Sequence, residues 1–213
     1  MKKRIRIGVD VGGTFTDFVL VDEERDQIFT GKQLTTPSDP SAAILDGVGR
    51  LLSDAGESPT AVDNIVHGTT LITNTIIERT GAKVGLVSTR GHRDTLEMAK
   101  EIRYDLYDLF IESPPSLVPR FRRESVAERI SPDGEILLEF DEEGFKNSLR
   151  KLVQEENIEA LAICLMHSYR NPDHERLAKK IVSKLYKDLP VTLSSDVAPE
   201  IREFERTSTA CAN

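Results

Sequence analysis

The feature that most constrains the fold is a double glycine between two strand patterns near the start of the chain. From Ile5 to Val11 apolar and polar residues alternate, as in a strand with one buried face. Phe18 to Val21 is a continuous apolar run, which is typical of a strand covered on both faces. Gly12 and Gly13 permit positive φ angles and let backbone N–H groups approach a ligand closely. The pattern therefore predicts two strands joined by a tight turn that can bind an anion.

Polar side chains surround this turn. Thr14 and Thr16 add hydroxyl groups, and Asp10 and Asp17 place a carboxylate at each end. Amide donors with a carboxylate suit a phosphate and its Mg²⁺, because both the anion and the water shell of the cation need partners. The alternative is a hairpin whose glycines serve only the turn, and the Gly-Gly-Thr sequence alone fits both interpretations about equally.

The whole string Asp10-Val-Gly-Gly-Thr-Phe-Thr-Asp17, directly after a first strand, is more specific. It resembles the first phosphate loop of the actin, hexokinase and heat-shock-chaperone ATPase superfamily. Its Phe15-Thr16-Asp17 extension is similar to the hydantoinase A/5-oxoprolinase family. Further blocks resemble that family in the same order along the chain: 67–79, 81–94, 104–109, 167–172 and 200–209.

The second motif is His67-Gly68-Thr69-Thr70, which we expect at a turn between a strand and a helix. Free N–H groups and the helix dipole favour an anion at such a junction. On residue type alone, Thr69 or Thr70 as a simple helix cap is the favoured interpretation. The family resemblance shifts the balance towards a nucleotide site that includes Gly68, Thr69 and Thr70.

A polar loop follows the next expected strand and contains Arg90 and Arg93 on either side of a glycine. Two such guanidinium groups can hold a carboxylate or phosphate bidentately. A solvated loop with surface salt bridges is an equally good interpretation of the same residues. His92, His167 and His174 are given no catalytic or metal-binding role.

The order of elements predicts the fold class. Three strands, the third at Gln27–Thr35, form an antiparallel meander, and helices then alternate with strands. This order implies an α/β protein with a mixed sheet and helices on both faces. The resemblance implies an actin-like (ribonuclease H-like) ATPase lobe. The remaining expected elements are helices at 38–54, 71–80 (ended by Gly81), 95–103, 141–156 and 171–189, strands at 65–66, 83–88, 160–166 and 191–194, and hairpin strands at 124–130 and 135–140.

The domain prediction is one lobe over residues 1–198, with a possible subdomain insertion at about 104–140. Residues 104–121 contain three prolines and are expected to form a long surface excursion. Whether the later strands join the first sheet is left open. Residues 199–213 are expected to begin a helix that leads into a missing second lobe, so this chain alone should bind Mg-ATP weakly without turning it over.

Composition excludes several classes. The net charge of −8 leaves no basic excess to neutralise nucleic-acid phosphates. No apolar run of 18 residues and no signal-peptide pattern are present, so no membrane partner is expected. The two cysteines, Cys164 and Cys211, fit neither a disulfide framework nor a metal site. A cytoplasmic location is the default expectation, and Cys164 is expected in the core.

The resemblance implies ATP and Mg²⁺ as cofactors and a cyclic amide, such as 5-oxoproline or a hydantoin, as substrate. Gly12, Gly13 and Thr14 would hold the phosphates, Asp10 would position Mg²⁺, and Asp17 and Thr16 would organise the loop or the substrate side. Asp10 and Asp17 are thereby the expected catalytic residues, and Thr16 is counted among the cofactor-binding residues. A second subunit of the hydantoinase B type is the expected partner. An ATP-dependent ketone carboxylase subunit, an actin-like sugar kinase and a nucleotide-gated binding module remain alternatives.

Overall fold

The computed structural model describes residues 5–36, 39–100, 105–112 and 114–213. The chain divides into two compact units, Met1–Thr80 and Gly81–Asn213. None of the helices in the described part of the chain has the length and apolar character needed to cross a lipid bilayer.

The first unit is built on a four-stranded mixed sheet with the strand order β3-β2-β1-β4. Its strands are β1 (Ile5–Val11), β2 (Phe15–Asp22), β3 (Gln27–Leu34) and β4 (Val62–Thr69). The first three pair antiparallel and β4 pairs parallel to β1. The antiparallel meander predicted at the start of a mixed sheet is therefore confirmed.

Helix α1 (Pro40–Asp54) packs on one face of this sheet. It begins where the Asp39 carboxylate accepts hydrogen bonds from the backbone N–H groups of Ser41 and Ala42, which satisfies two donors of the first turn. The other predicted cap, Ser38, lies outside the described residues. The alternating residues of β1 pack against α1, and the buried core of the unit is Ile5, Ile7, Val9, Val11, Phe18, Leu20, Leu51, Leu52 and Ala55.

A short 3₁₀ helix (Pro59–Ala61) precedes β4, and helix α2 (Leu71–Glu78) follows it. The helix ends at Arg79, which has a left-handed backbone with φ 57° and whose N–H donates to the carbonyl of Thr75. The prediction that α2 runs to Thr80 and ends at Gly81 is therefore wrong. The residue with the left-handed backbone that ends the helix is Arg79, which lies two residues before Gly81.

The second unit contains a four-stranded parallel sheet with the order β10-β9-β5-β6. In chain order its elements are β5 (Val84–Thr89), α3 (Thr95–Met98), a 3₁₀ helix (Arg120–Arg122), β6 (Arg123–Val126), β7 (Arg129–Ile130), β8 (Ile136–Leu138), α4 (Glu142–Gln154), β9 (Ala160–Cys164), α5 (Asp173–Leu185), β10 (Val191–Leu193), α6 (Ser194–Val197) and α7 (Glu203–Ala212). The question left open by the sequence is thus answered, because the later strands form a sheet of their own.

Helices cover both faces of this second sheet, as predicted. Along β9, Leu161 and Ile163 belong to the cluster that includes buried residues of α4 and α5. Ala162 and Cys164 belong to the opposite cluster, which includes residues of α3 and α7. Burial of Cys164 in the core is confirmed.

The strand predicted at 124–130 is two separate strands. Its first part joins the parallel sheet as β6, and its last two residues pair with β8 as a hairpin. The turn of that hairpin has the predicted residues, with the Ser131 hydroxyl accepting hydrogen bonds from the N–H groups of Asp133 and Glu135. The helix predicted to reach residue 103 ends at Met98, and its last predicted residues lie outside the described range.

Two fully buried charged side chains join the strand ends of the second unit. The Glu175 carboxylate accepts hydrogen bonds from the backbone N–H of Leu165 (2.9 Å) and from the hydroxyls of Ser194 (2.6 Å) and Ser195 (2.7 Å). The Arg206 guanidinium donates to the carbonyl of Leu165 at 2.9 Å. The Glu175 carboxylate of α5 therefore joins the carboxyl ends of β9 and β10, and Arg206 joins α7 to the end of β9.

Candidate functional site

The glycine turn after β1 has a shape that its own hydrogen bonds define. The N–H of Gly12 donates to the carbonyl of Phe15 at 2.9 Å, and the Thr35 hydroxyl donates to the carbonyl of Gly12 at 2.8 Å. The Thr35 N–H donates to the carbonyl of Thr14 at 2.9 Å. A Cβ atom on Gly12 would lie 2.8 Å from the Phe15 carbonyl oxygen, so only glycine fits without movement of the backbone.

Thr16 is linked to this turn through the hydroxyl of Thr35. Its side chain is fully buried, and its hydroxyl lies 2.9 Å from the hydroxyl of Thr35. Contact between Thr16 and a bound cofactor, which the sequence suggested, does not fit this geometry. The hydroxyl pair instead links β2 to Thr35, the residue that holds the Gly12 carbonyl, and this favours the loop-organising alternative for Thr16.

Asp10 and Asp17 are direct cross-strand partners in the antiparallel pair of β1 and β2, and both are exposed. Partners in such a pair project from the same side of the sheet, about 5 Å apart at Cβ. The carboxylate of Asp17 forms an ion pair with Lys32 of β3 at 2.9 Å. The two carboxylates that the sequence places at the ends of the glycine turn are therefore neighbours, and Lys32 offsets the charge of Asp17.

No cluster of three or more metal-binding side chains exists within the described ranges. A Mg²⁺ ion at Asp10 would take most of its ligands from phosphate oxygens and water, which is usual for magnesium in nucleotide sites. The residues present fit such an ion, since Asp10 is exposed beside the glycine turn.

The second motif meets the first because β4 is parallel to β1 and pairs with it in register up to Val11 and Thr69. The Thr70 N–H donates to the Val11 carbonyl at 3.1 Å, and the Thr69 hydroxyl lies 3.3 Å from the same oxygen. His67, Gly68 and Thr69 thus lie within β4, and the prediction that they form a turn is wrong. Pairing with β1 extends the strand to Thr69, and α2 begins two residues later.

The Thr69 hydroxyl also accepts the N–H of Leu71 at 3.2 Å, so it acts partly as the helix cap that the alternative interpretation proposed. The Thr70 side chain makes no capping hydrogen bond. The start of α2 and the glycine turn therefore lie side by side at the carboxyl edge of two parallel strands, where ligands commonly bind in α/β sheets.

Asn74 lies at this edge; the sequence places it just beyond the second motif but gives it no binding role. A Cβ atom on Gly13 would lie 2.9 Å from its Nδ2 atom, so the carboxamide packs directly over the glycine turn. Asn74 follows Thr70 by four residues, and its N–H donates to the Thr70 carbonyl at 2.9 Å. This helical spacing places Asn74 on the same face of α2 as Thr70. The four-residue spacing from Thr70 is the sequence signal that connects Asn74 with this edge of the sheet.

The second unit has its own open cleft of about 540 Å³, lined by residues of 91–100 and 201–205. His92 lies in it with its Nε2 atom 3.3 Å from a guanidinium nitrogen of Arg129. Burial, and then the positive charge of Arg129, lower the pKa of His92. A neutral imidazole here accepts from Arg129.

The arginine loop beside this cleft is organised by internal contacts. Arg93 donates to the backbone carbonyl of Arg120 at 2.9 Å, and Arg120 binds the Asp94 carboxylate through two hydrogen bonds of 2.9 and 3.2 Å. The hydrogen bond from Arg120 lowers the pKa of Asp94. These contacts favour the interpretation of a salt-bridged loop over an anion clamp for Arg93.

The fold and the glycine turn together define the class of protein. A sheet that begins with an antiparallel meander, continues with a parallel strand and carries a Gly-Gly-Thr turn after its first strand is that of an actin-like ATPase lobe. The model of the hydantoinase/oxoprolinase N-terminal region matches residues 6–186, and the chain belongs to this family.

Known relatives agree with this assignment. Caprolactamase subunit alpha of Pseudomonas jessenii is 37% identical over 219 aligned residues, which cover 100% of this chain and 31% of that subunit. The crystal structure of the ATP-dependent caprolactamase of the same organism matches with a TM-score of 0.79, 36% identity and coverage of 98% of this chain and 31% of the other. Nucleotide-free acetone carboxylase, from work on ATP-dependent acetone carboxylation, matches with a TM-score of 0.84, 29% identity and coverage of 97% and 31%. The chain spans about a third of the length of these relatives.

Proposed function

We propose that this chain is the N-terminal ATP-binding lobe of an ATP-dependent cyclic-amide hydrolase. The observation that carries the proposal is the Gly12–Gly13 turn, which lies beside the exposed Asp10 carboxylate and the start of α2. Membership of the hydantoinase/oxoprolinase family and the likeness to the ATP-dependent caprolactamase support it.

In this proposal Gly12, Gly13 and Thr14 hold the phosphates of ATP through backbone N–H groups and a hydroxyl. Asp10 holds Mg²⁺, directly or through water, and the magnesium ion screens phosphate charge when it is bound. Gly68, Thr69 and Thr70 form the other wall of the phosphate site. Asp17 forms an ion pair with Lys32 and thereby helps to fix the side of the sheet from which Asp10 projects.

The chemistry follows from the low reactivity of an amide carbon. The amide oxygen attacks the γ-phosphorus of ATP, the bond to the bridging oxygen breaks, and ADP leaves. The O-phosphorylated carbon then accepts water, the ring C–N bond breaks as nitrogen takes up a proton, and a second water releases phosphate from the resulting acyl phosphate. One ATP and two waters thus yield an amino acid, ADP and phosphate. The residues of this chain serve the first step by positioning and charge stabilisation.

The test is ADP release by the complete gene product, assayed with its neighbouring subunit against 5-oxoproline, hydantoins and caprolactam. We expect stimulation by one of these cyclic amides. Asp10→Ala should lower the stimulated rate about a hundredfold or more, because it removes the carboxylate nearest the phosphate turn.

Asp63→Ala is the matched control, since Asp63 is an exposed carboxylate at the opposite end of β4. It should leave the rate unchanged. Equal loss in both variants would point to a general effect of charge or folding and would contradict the role of Asp10. No response to any cyclic amide or ketone would favour a nucleotide-gated binding module.

A ketone carboxylase subunit is the second candidate, favoured by the structural likeness to acetone carboxylase. The same assay separates the two functions. ADP release that requires both a ketone and bicarbonate, with no response to cyclic amides, would assign the chain to the carboxylases.

We further propose that the chain works with a second subunit of the hydantoinase B type, which completes ring opening. Caprolactamase subunit alpha is by its name part of a multi-subunit enzyme, and this supports the proposal. Mixing the separately purified subunits should restore ring opening that neither shows alone. Full ring opening by the complete gene product without a second subunit would contradict it.

A further inference from the structure

Asn74 and Gly13 are matched in shape. The carboxamide nitrogen of Asn74 occupies the space next to the Gly13 Cα, at 2.9 Å from the position of a Cβ atom. Apart from Gly13 and its chain neighbours, the one other atom of the described residues within 4 Å of that position is the Cγ atom of the same asparagine. The absence of a side chain at Gly13 therefore makes room for Asn74.

The chemistry of this side chain points to an anionic partner. A carboxamide nitrogen carries two N–H donors, and Asn74 is partly buried. Across the described ranges no protein acceptor bonds to this nitrogen, although the N–H of the same residue is used within the helix. A partly buried donor that faces a glycine turn is suited to an oxygen atom bound in that turn.

We propose that Asn74 is a phosphate-binding residue of the nucleotide site, and that its carboxamide donates to a phosphate oxygen of ATP seated against Gly13. This inference rests on the proposed ATP-binding function. It adds a donor from α2 to the backbone donors of the turn, so that the nucleotide contacts both motifs. Gly13 is then required for the position of Asn74, whereas Gly12 is required for the backbone of the turn itself.

The direct test is the KM for ATP and the Kd for Mg-ATP of the complete gene product carrying Asn74→Asp. This change keeps the shape of the side chain and replaces its donors with a negative charge. We expect both constants to rise about tenfold or more, since a hydrogen bond to a charged group is lost and repulsion is added. Asn74→Ala should raise them in the same direction, and the KM for the amide substrate should stay unchanged.

Asn64→Asp is the matched control. Asn64 is exposed on β4, five residues before Thr69, and therefore about 16 Å from the turn along the strand. Charges at this distance are largely screened at physiological ionic strength. Both constants should be unchanged in this variant.

A double-mutant cycle isolates the contact between the two residues. Gly13→Ala should raise the KM for ATP when Asn74 is present, because the new methyl group displaces the carboxamide. In the Asn74→Ala background the methyl group meets no other described side chain, so Gly13→Ala should raise the KM by a smaller factor, the part due to its contact with the phosphate itself. Additive effects would contradict the inference.

The outcomes for the inference and for the proposed function differ. Wild-type protein that binds Mg-ATP, together with Asn74→Asp protein that binds it equally well, would overturn the role of Asn74 and leave the ATP-binding lobe intact. Wild-type protein that neither binds nor hydrolyses ATP would overturn both. Thermal unfolding of each variant, expected within a few degrees of wild type, excludes a folding defect as the cause.

Discussion

At the scale of single residues, adjacent glycines in one turn have different physical reasons for being glycine. At Gly12 the obstacle to a side chain is a backbone carbonyl oxygen, that of Phe15, which cannot move without opening the turn. At Gly13 the obstacle is the end of a flexible side chain, that of Asn74. Stability should therefore depend on the first glycine more than on the second.

Gly12→Ala should lower the free energy of unfolding by about 1–3 kcal/mol, the usual cost of forcing an extra methyl group into a packed site. Gly13→Ala should change it by less than about 1 kcal/mol, because Asn74 can rotate away. Urea unfolding of both variants, followed by circular dichroism, measures the difference. Equal loss of stability would show that the turn does not constrain the two positions differently.

The two cysteines illustrate how burial sets the chemistry of a residue. Cys164 and Cys211 are both buried and free, and the Thr207 hydroxyl donates to the Cys164 sulfur. Burial raises the pKa of both thiols well above the usual value. Since the thiolate is the reactive form, neither should react readily while the unit is folded.

We expect a maleimide reagent to label these thiols slowly in native buffer and rapidly in denaturant. The labelled fraction, measured by intact-mass spectrometry over time, checks this. Fast labelling of either cysteine in the native protein would mean that the core between the sheet and α7 opens readily.

At the scale of secondary-structure elements, helix α1 contains two glycines in very different surroundings. A Cβ atom on Gly47 would overlap the ring of Phe18, a buried core residue of β2. A Cβ atom on Gly49 would meet nothing within 4 Å. Because Gly47 has no side chain, α1 can pack closely against Phe18 of the sheet. Gly49 has no such role in packing.

Gly49→Ala should raise the free energy of unfolding by about 0.5–1 kcal/mol, because alanine is the better helix former and nothing obstructs it. Gly47→Ala carries the same gain in helix propensity but should be destabilising by about 1–3 kcal/mol, since Phe18 must move. Urea midpoints of the two variants measure the sign in each case. A gain in both would show that α1 does not pack closely on β2.

At the scale of the whole chain, the two units differ in whether their polar and charged side chains are exposed or buried. In the first unit the predicted site is exposed, and α2 has no buried residue. In the second unit, the charged side chains of Glu175 and Arg206 are fully buried, and each is hydrogen-bonded to the backbone at the end of β9. In the open cleft of this unit, burial and then the charge of Arg129 lower the pKa of His92.

The lowered pKa of His92 makes stability depend on pH with a definite sign. Because the folded state binds the proton less tightly than the unfolded state, where the pKa is near 6.5, stability is retained above pH 6.5 and lost as the pH falls below it. Glu203 and Glu128 favour the proton, but burial and Arg129 outweigh them.

We expect the urea midpoint of wild type to fall more between pH 7.5 and pH 5.5 than that of His92→Gln, which cannot take up a proton. All other ionisable side chains are the same in the two proteins, so the difference between the proteins reports on His92. The same fall in both proteins would show that His92 does not contribute to the pH dependence.

The sequence by itself determined those features that depend on local spacing. The alternation from Ile5 to Val11, the glycine turn and the Asp39 cap were all predicted, because period, turn composition and capping chemistry act over a few residues. The motifs also indicated the family.

Only the tertiary structure decided the features that join distant parts of the chain. The burial of Thr16 depends on Thr35, the extension of β4 to Thr69 depends on pairing with β1, and the division of 124–130 depends on β5 and β8. Asn74 comes to Gly13 only because parallel pairing aligns the ends of β1 and β4. Such contacts follow from long-range pairing and packing, and no local pattern in the sequence records them.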